Sequence, residues 1–190
     1  MILVIDNYDS FTFNLVQLLE SRAQGSPDVR VVRNDACTPG ELADAQPTHV
    51  ILSPGPGRPE DSGLSLSATD AFPNTPLLGV CLGHQALALA HGARIVHAKH
   101  PTHGRTVNIT HSSTPPFANA PPTLDVALYH SLVVDDESVP STIRVTARTR
   151  DGAVMALEHR ERPHYGVQFH PESFMTTAGA SLIDEFLSLT

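Results

Sequence analysis

Leu77-Leu78-Gly79-Val80-Cys81-Leu82-Gly83-His84-Gln85 is a short apolar run that meets a cysteine between two glycines and passes into an alanine- and leucine-rich stretch, Gln85 to Ala90. The run has the composition of a strand buried on both faces of a parallel sheet, and the residues after the cysteine open a helix. A strand turning sharply into a helix at Gly79-Val80-Cys81-Leu82-Gly83 has the layout of a nucleophile elbow with cysteine in the serine position. The elbow residue takes strained dihedrals, and flanking glycines let backbone and helix pass closely. The thiol is then lifted into a cleft at the start of a helix, where an anion is favoured. Cys37, in Asn34-Asp35-Ala36-Cys37-Thr38-Pro39, has no such setting and reads as a small buried residue.

Outward from this elbow the same pattern repeats. Ile2 to Asp6, Val29 to Val32 and His49 to Leu52 are further buried-strand segments. Between the first two, Ser10 is placed to cap a helix with apolar positions Phe13, Val16 or Leu15, and Leu19, closed by Gly25 to Pro27. Strands alternating with helical or loop segments predict an α/β fold, a mainly parallel sheet with helices on its faces and ligands beyond the carboxyl ends of the strands. The later half differs. Val107 to Thr110, Val126 to Tyr129, Ile143 to Ala147, Val154 to His159 and Tyr165 to Phe169 are short strand candidates with little helix between them, which predicts antiparallel additions. Ala178 to Leu189 closes the chain as a helix with Leu182, Ile183, Phe186 and Leu187 on one face. Ser112 to Pro122 is a proline-rich loop, not a linker, because strands flank it.

The 190 residues fit one domain, residues 1–190, large enough to hold a core without disulfides or metal. Two cysteines make no framework, and no apolar run approaches the length of a membrane span or follows a basic leader, so a cytoplasmic chain with no membrane partner is expected. A net charge of −8, with Lys99 the only lysine, argues against binding a nucleic-acid backbone.

A cysteine nucleophile needs a base and a group to orient it. His170-Pro171-Glu172, at the end of Gly166-Val167-Gln168-Phe169, supplies both, because residues two apart in extended chain share a face. Ser53-Pro54-Gly55-Pro56-Gly57 ends the third strand in a rigid loop. The N–H groups of Gly57 and of Leu82, the residue after the nucleophile, are the candidate oxyanion donors. His97, His100, His103 and His111 match no helical pair or finger spacing, so no metal site is expected, and His103-Gly104 is expected to shape a loop beside the site.

With these motifs in order, the chain resembles the class I (triad) glutamine amidotransferases, most closely the small glutaminase subunits of anthranilate synthase and aminodeoxychorismate synthase. The resemblance covers nearly the whole chain. Its carriers are Asp6-Asn7-Tyr8-Asp9-Ser10-Phe11, Ser53 to Gly57, Gly79 to Gln85, Tyr129-His130-Ser131-Leu132 and Gly166 to Ser173. It implies a flavodoxin-like fold and hydrolysis of L-glutamine to glutamate and ammonia, with ammonia passed to a chorismate-using large subunit. By the same resemblance Cys81 attacks the carboxamide, His170 is the base and Glu172 its orienting acid. Gly55, Pro56, Gly57, Leu82, Gln85, Ser131 and Leu132 would bind glutamine. The segment Asn7 to Phe11, with Lys99 and His103, is similar to segments near the partner interface or the ammonia path. No cofactor is implied in this chain, magnesium belonging to the partner. Leu128 stands where relatives often carry arginine, a departure that bears on packing or partner contact. A catalytically silent scaffold is the first alternative, though no triad member is missing. A γ-glutamyl hydrolase or peptidase on the same fold is the second. Which partner the chain serves is not separable at this level.

Overall fold

The computed structural model describes residues 1–23 and 28–190. In chain order the elements are β1 (Ile2–Asp6), α1 (Thr12–Arg22), β2 (Val29–Arg33), α2 (Pro39–Ala43), β3 (His49–Leu52), α3 (Leu64–Ala71), β4 (Leu77–Val80), α4 (Leu82–Ala90), β5 (Ile95–His111), β6 (Thr123–Val134), β7 (Ile143–Thr149), β8 (Val154–His159), β9 (His164–Val167) and α5 (Gly179–Leu187). All nine strands join one sheet in the order β2-β1-β3-β4-β9-β8-β7-β5-β6. The pairs from β2 to β9 are parallel and those from β9 to β6 antiparallel. The expected antiparallel addition is thus a continuation of the parallel sheet, and the five parallel strands have the flavodoxin-like order.

The central strands read as unbroken apolar runs because both faces are covered. Along β1, Ile2 and Val4 pack on one side with Leu15 and Leu19 of α1 and Ile183 and Phe186 of α5. Leu3 and Ile5 pack on the other with Leu42, Leu64 and Leu87 of α2, α3 and α4. Successive side chains of a strand point to opposite faces, so one short segment feeds two cores.

Several expectations need correction. Helix α1 begins at Thr12 with Phe11 as its cap residue, and Ser10 makes no cap. Asp9 does the local work, accepting the Phe11 N–H on its carboxylate at 2.8 Å. Phe13 faces out, while Leu15, Val16 and Leu19 form the buried stripe. The closing Gly25 to Pro27 lies outside the described residues. Strand β2 is half-exposed because it is the sheet's edge. His103-Gly104 is not a loop: it lies within β5, which starts twelve residues before the expected Val107 and is irregular between His97 and Arg105. β9 stops at Val167, before Phe169, and α5 spans Gly179–Leu187 rather than Ala178 to Leu189. Helix α2 adds an element that the expected pattern lacks, with a local sequence signal of its own. Thr38 and Glu41 form a reciprocal capping box with Pro39 in the first turn.

Buried histidines make this core sensitive to acid. Burial holds His84 down to about 3 and His164 down to about 4. Both are fully buried. Neutral imidazole is therefore favoured in the fold, so their stabilisation is complete above the unfolded value near 6.5 and is lost as pH falls toward the folded values. At pH 5 this amounts to about 2 kcal/mol for each. His170, shifted the other way by its partners, offsets only part of the loss. The urea midpoint should fall markedly between pH 7.5 and pH 5; a flat profile would contradict this account.

Candidate active site

Four strand ends, those of β1, β3, β4 and β9, place loops side by side at one end of the parallel sheet. Cys81 sits where β4 turns into α4, with φ +51°, the left-handed region that favours glycine. Its N–H donates to the Val167 carbonyl at 2.9 Å, tying the end of β4 to the end of β9. Holding a non-glycine residue there costs about 1–3 kcal/mol unless the surroundings enforce it. The two glycines do so by allowing contact. A Cβ on Gly79 would lie 2.4 Å from the Gly83 carbonyl oxygen, and one on Gly83 would lie 2.3 Å from that of Leu52.

His170 follows β9 and is braced against β6. Its N–H donates to the Ala127 carbonyl at 3.1 Å. Thr176 Oγ1 donates to the His170 carbonyl at 2.7 Å and accepts the Ala127 N–H at 2.9 Å. The imidazole Nδ1 is 2.6 Å from Glu172 Oε1, with both side chains buried. Nε2 is also buried, makes no well-aligned hydrogen bond among the described residues, and is close enough to Cys81 for the sulfur to act on it. Burial works against the charged ring. The Cys81 sulfur and the Glu172 carboxylate beside the ring outweigh it and raise His170 above the ordinary histidine range. The three residues singled out in the sequence are thus brought together, with the His170 ring between the Glu172 carboxylate and the Cys81 sulfur. Tyr129 packs edge-on against the His170 ring at 5.1 Å, and His103 packs edge-on against Tyr129 at 5.2 Å. Asp9 is close enough to feel both His170 and Glu172, although burial is the largest influence raising its own pKa.

The Ser53 to Gly57 loop is held from below. A Cβ on Gly55 would lie 2.6 Å from Asn7 Cβ and 2.8 Å from Leu82 Cδ2, so glycine lets the loop settle beside the start of α4. Pro56 and Gly57 are exposed, with Gly57 at φ +82°. Neither the Gly57 N–H nor the Leu82 N–H is taken by another group among the described residues. Asn7 is buried rather than on a surface. Its N–H donates to Ser53 Oγ and its Nδ2 to the Ser53 carbonyl, both at 2.8 Å, while Ser65 Oγ and Asn34 Nδ2 donate to its Oδ1. It fastens four segments together. Tyr8 and Phe11, by contrast, are about half exposed, and with Phe13 and Phe174 they are the exposed aromatic side chains of the described residues. A cavity of about 240 Å³ beside His170 is lined by Phe11, Asn14, Tyr129, Glu172 and Phe174.

Gln85 is buried. Its Nε2 donates to the Leu132 carbonyl at 2.9 Å and to Gln168 Oε1 at 3.1 Å. Both donors are therefore used within the protein, and its Oε1 is left as an acceptor, suited to an ammonium group. His130 Nδ1 meets the same Leu132 carbonyl at 3.0 Å, while Ser131 is exposed. Lys99 lies apart, on a second cavity of about 530 Å³ together with His97, His100 and His130. No group of three metal-ligating side chains that could hold an ion occurs among the described residues. Leu128 belongs to the buried core, where leucine suits its surroundings. Gln168 is the residue sequence reasoning passed over. It shares the parity of His170, two residues on, and that parity was the available signal.

Residues 3–189 match the family model for glutamine amidotransferase class-I. The chain is 44% identical over 189 residues to the bifunctional protein TrpGD of Thermotoga maritima, covering 99% of this chain but only 32% of that protein. It is 43% identical over 188 residues to the aminodeoxychorismate/anthranilate synthase component 2 of Bacillus subtilis, covering 98% and 95% of the two chains. A crystal structure of a candidate GMP synthase subunit from Thermoplasma acidophilum superimposes with a TM-score of 0.85 at 28% identity, covering 98% of this chain and 91% of that one.

Proposed function

Because the chain belongs to the class-I glutamine amidotransferases and is similar to component 2 of aminodeoxychorismate and anthranilate synthases, we propose that it hydrolyses L-glutamine and passes the ammonia to a chorismate-aminating synthase subunit. The observation that carries this reading is the buried Cys81, His170 and Glu172 array at the ends of adjacent strands, with Cys81 on a strained elbow. His170 takes the Cys81 thiol proton, the sulfur attacks the γ-carboxamide carbon as the carbonyl π electrons move to oxygen, and the N–H groups of Leu82 and Gly57 receive that oxyanion. Protonated His170 gives its proton to the departing nitrogen, ammonia leaves, and a γ-glutamyl thioester remains. His170, now neutral, draws a proton from water, whose oxygen attacks the thioester; glutamate departs and the sulfur is free again. Glu172 holds Nδ1 and stabilises the imidazolium throughout. Gly55 and Pro56 wall the carboxamide end, while Gln85 Oε1 and the Ser131 and Leu132 backbone hold the amino-acid end.

Two exposed aromatic side chains, Phe11 and Phe174, line the cavity beside His170 and support a protein partner seated over the site, since exposed apolar groups with polar surface around them mark such contacts. A partner there would keep ammonia from water and complete the site, so the isolated chain should be a slow glutaminase. Magnesium and chorismate are assigned to the partner. The deciding experiment mixes the chain with glutamine, chorismate, magnesium and, separately, anthranilate-forming and aminodeoxychorismate-forming large subunits of the same organism. Product in one mixture names the partner, and product in both means a shared subunit. Product in neither, with ammonium salts still active in both, would refute the proposal.

A further inference from the structure

Gln168 is fully buried, and its carboxamide lies between the nucleophile and Gln85: its Nε2 is 3.6 Å from Cys81 Sγ and its Oε1 accepts from Gln85 Nε2 at 3.1 Å. The two ends of an amide side chain are hard to tell apart by shape, so their assignment must come from the hydrogen-bond network. Here the network has an unambiguous anchor. The Leu132 carbonyl can only accept, so the Gln85 atom 2.9 Å from it is the nitrogen. That nitrogen also meets Gln168, so the Gln168 atom facing it is the oxygen. The remaining end of Gln168, turned to the sulfur, is its N–H donor. A main-chain carbonyl thus fixes, through two glutamines, what Cys81 is offered.

From this geometry we infer that Gln168 is a further catalytic residue, donating a hydrogen bond to the Cys81 sulfur, and that Gln85 and the Leu132 carbonyl are positioning groups that aim it. The inference rests on Cys81 being the nucleophile. A donor on the sulfur favours its anionic form before attack and again when the thioester breaks and the electron pair returns to sulfur. Being a donor and not a proton acceptor, it leaves His170 free to serve the departing nitrogen. Gln85 therefore has two duties, holding Gln168 by its nitrogen and facing the substrate with its oxygen.

The test measures how the rate at which iodoacetamide alkylates Cys81 depends on pH, followed by the mass of the Cys81 peptide, in the full chain without glutamine or partner. Gln168→Met keeps the length and removes the donor. Gln168→Glu keeps size and an acceptor and sets a carboxylate beside the sulfur. Gln85→Met leaves Gln168 in place but unaimed. The pH midpoint of alkylation should rise by about 1 to 2 units in Gln168→Met, the 10- to 100-fold loss of acidity expected for one hydrogen bond to an ionised group, and further in Gln168→Glu. In Gln85→Met it should also rise, and because no glutamine is present this cannot reflect substrate binding. In the complex with the synthase, Gln168→Met should lower kcat by a similar factor with KM changed less than about threefold. If Gln168→Met fails to fold by thermal melting, Gln168→Glu decides. An unchanged pH midpoint in whichever variant folds overturns the inference. Glutamine-dependent product from a Cys81→Ala chain would instead remove the reading beneath it, so the two failures are distinct.

Discussion

Cys81→Ala should lower glutamine-dependent product formation in the synthase complex by about 10⁴-fold or more, while product formed from free ammonium stays at the unsubstituted level. The loss is large because no other described group can take the role. Cys81 is buried at the elbow beside His170, whereas Cys37 is half-buried in the turn between β2 and α2. The retained ammonium reaction is the informative half of the result, since it shows the complex assembled and the partner competent. Glu172→Gln should give a smaller drop, about 10²- to 10⁴-fold, because the imidazole keeps its place but loses the carboxylate 2.6 Å from Nδ1 that supports its charge. Glutamine-dependent rates within tenfold of the original in Cys81→Ala would end the thioester account.

The second large effect is on folding. Gly83→Ala should destabilise the protein by about 3 kcal/mol or more, because the added methyl meets the Leu52 main-chain oxygen at 2.3 Å and neither β3 nor α4 can retreat without opening the core between them. For a chain of this size that corresponds to a fall of roughly 10 °C in melting temperature. Gly57→Ala offers the contrast within one protein. A Cβ there meets nothing within 4 Å, so only the cost of φ +82° remains, about 1–2 kcal/mol. Thermal unfolding of the two variants separates close approach from backbone conformation as reasons for glycine, and equal effects would contradict the distinction.

How far the sequence reached differs from element to element. The expected bounds of β1, β3, β4 and β8 match the structure to the residue; β1, β3 and β4 are short, mainly apolar runs whose cause is local, because a strand covered on both faces has few polar positions to spare. β5 was found only from Val107 onward. Its earlier part is mostly exposed and contains Pro101 and Gly104, so it carries no local strand signal and exists because β6 pairs with it. Phe13 misled for a related reason: helical spacing marks a stripe, but which way the stripe turns depends on what covers the helix.

The site divides in the same way. Cys81 between its glycines, and His170 with Glu172 two residues on, were legible because elbow sterics and strand parity act within a few bonds. Only the tertiary structure decided that Asn7 is a buried fastening rather than a surface residue, that Leu128 is core, and that Gln168 faces sulfur. The Asn7 and Gln168 contacts are made with partners 27, 46, 58, 83 or 87 residues away. The chain by itself specified the strands, the nucleophile, its base and the class of chemistry, through short-range sterics and periodicity. The packing of β4 against β9 and of β6 across them decided which donors meet the sulfur, because hydrogen bonds are fixed by position in space and the sequence records only order along the chain.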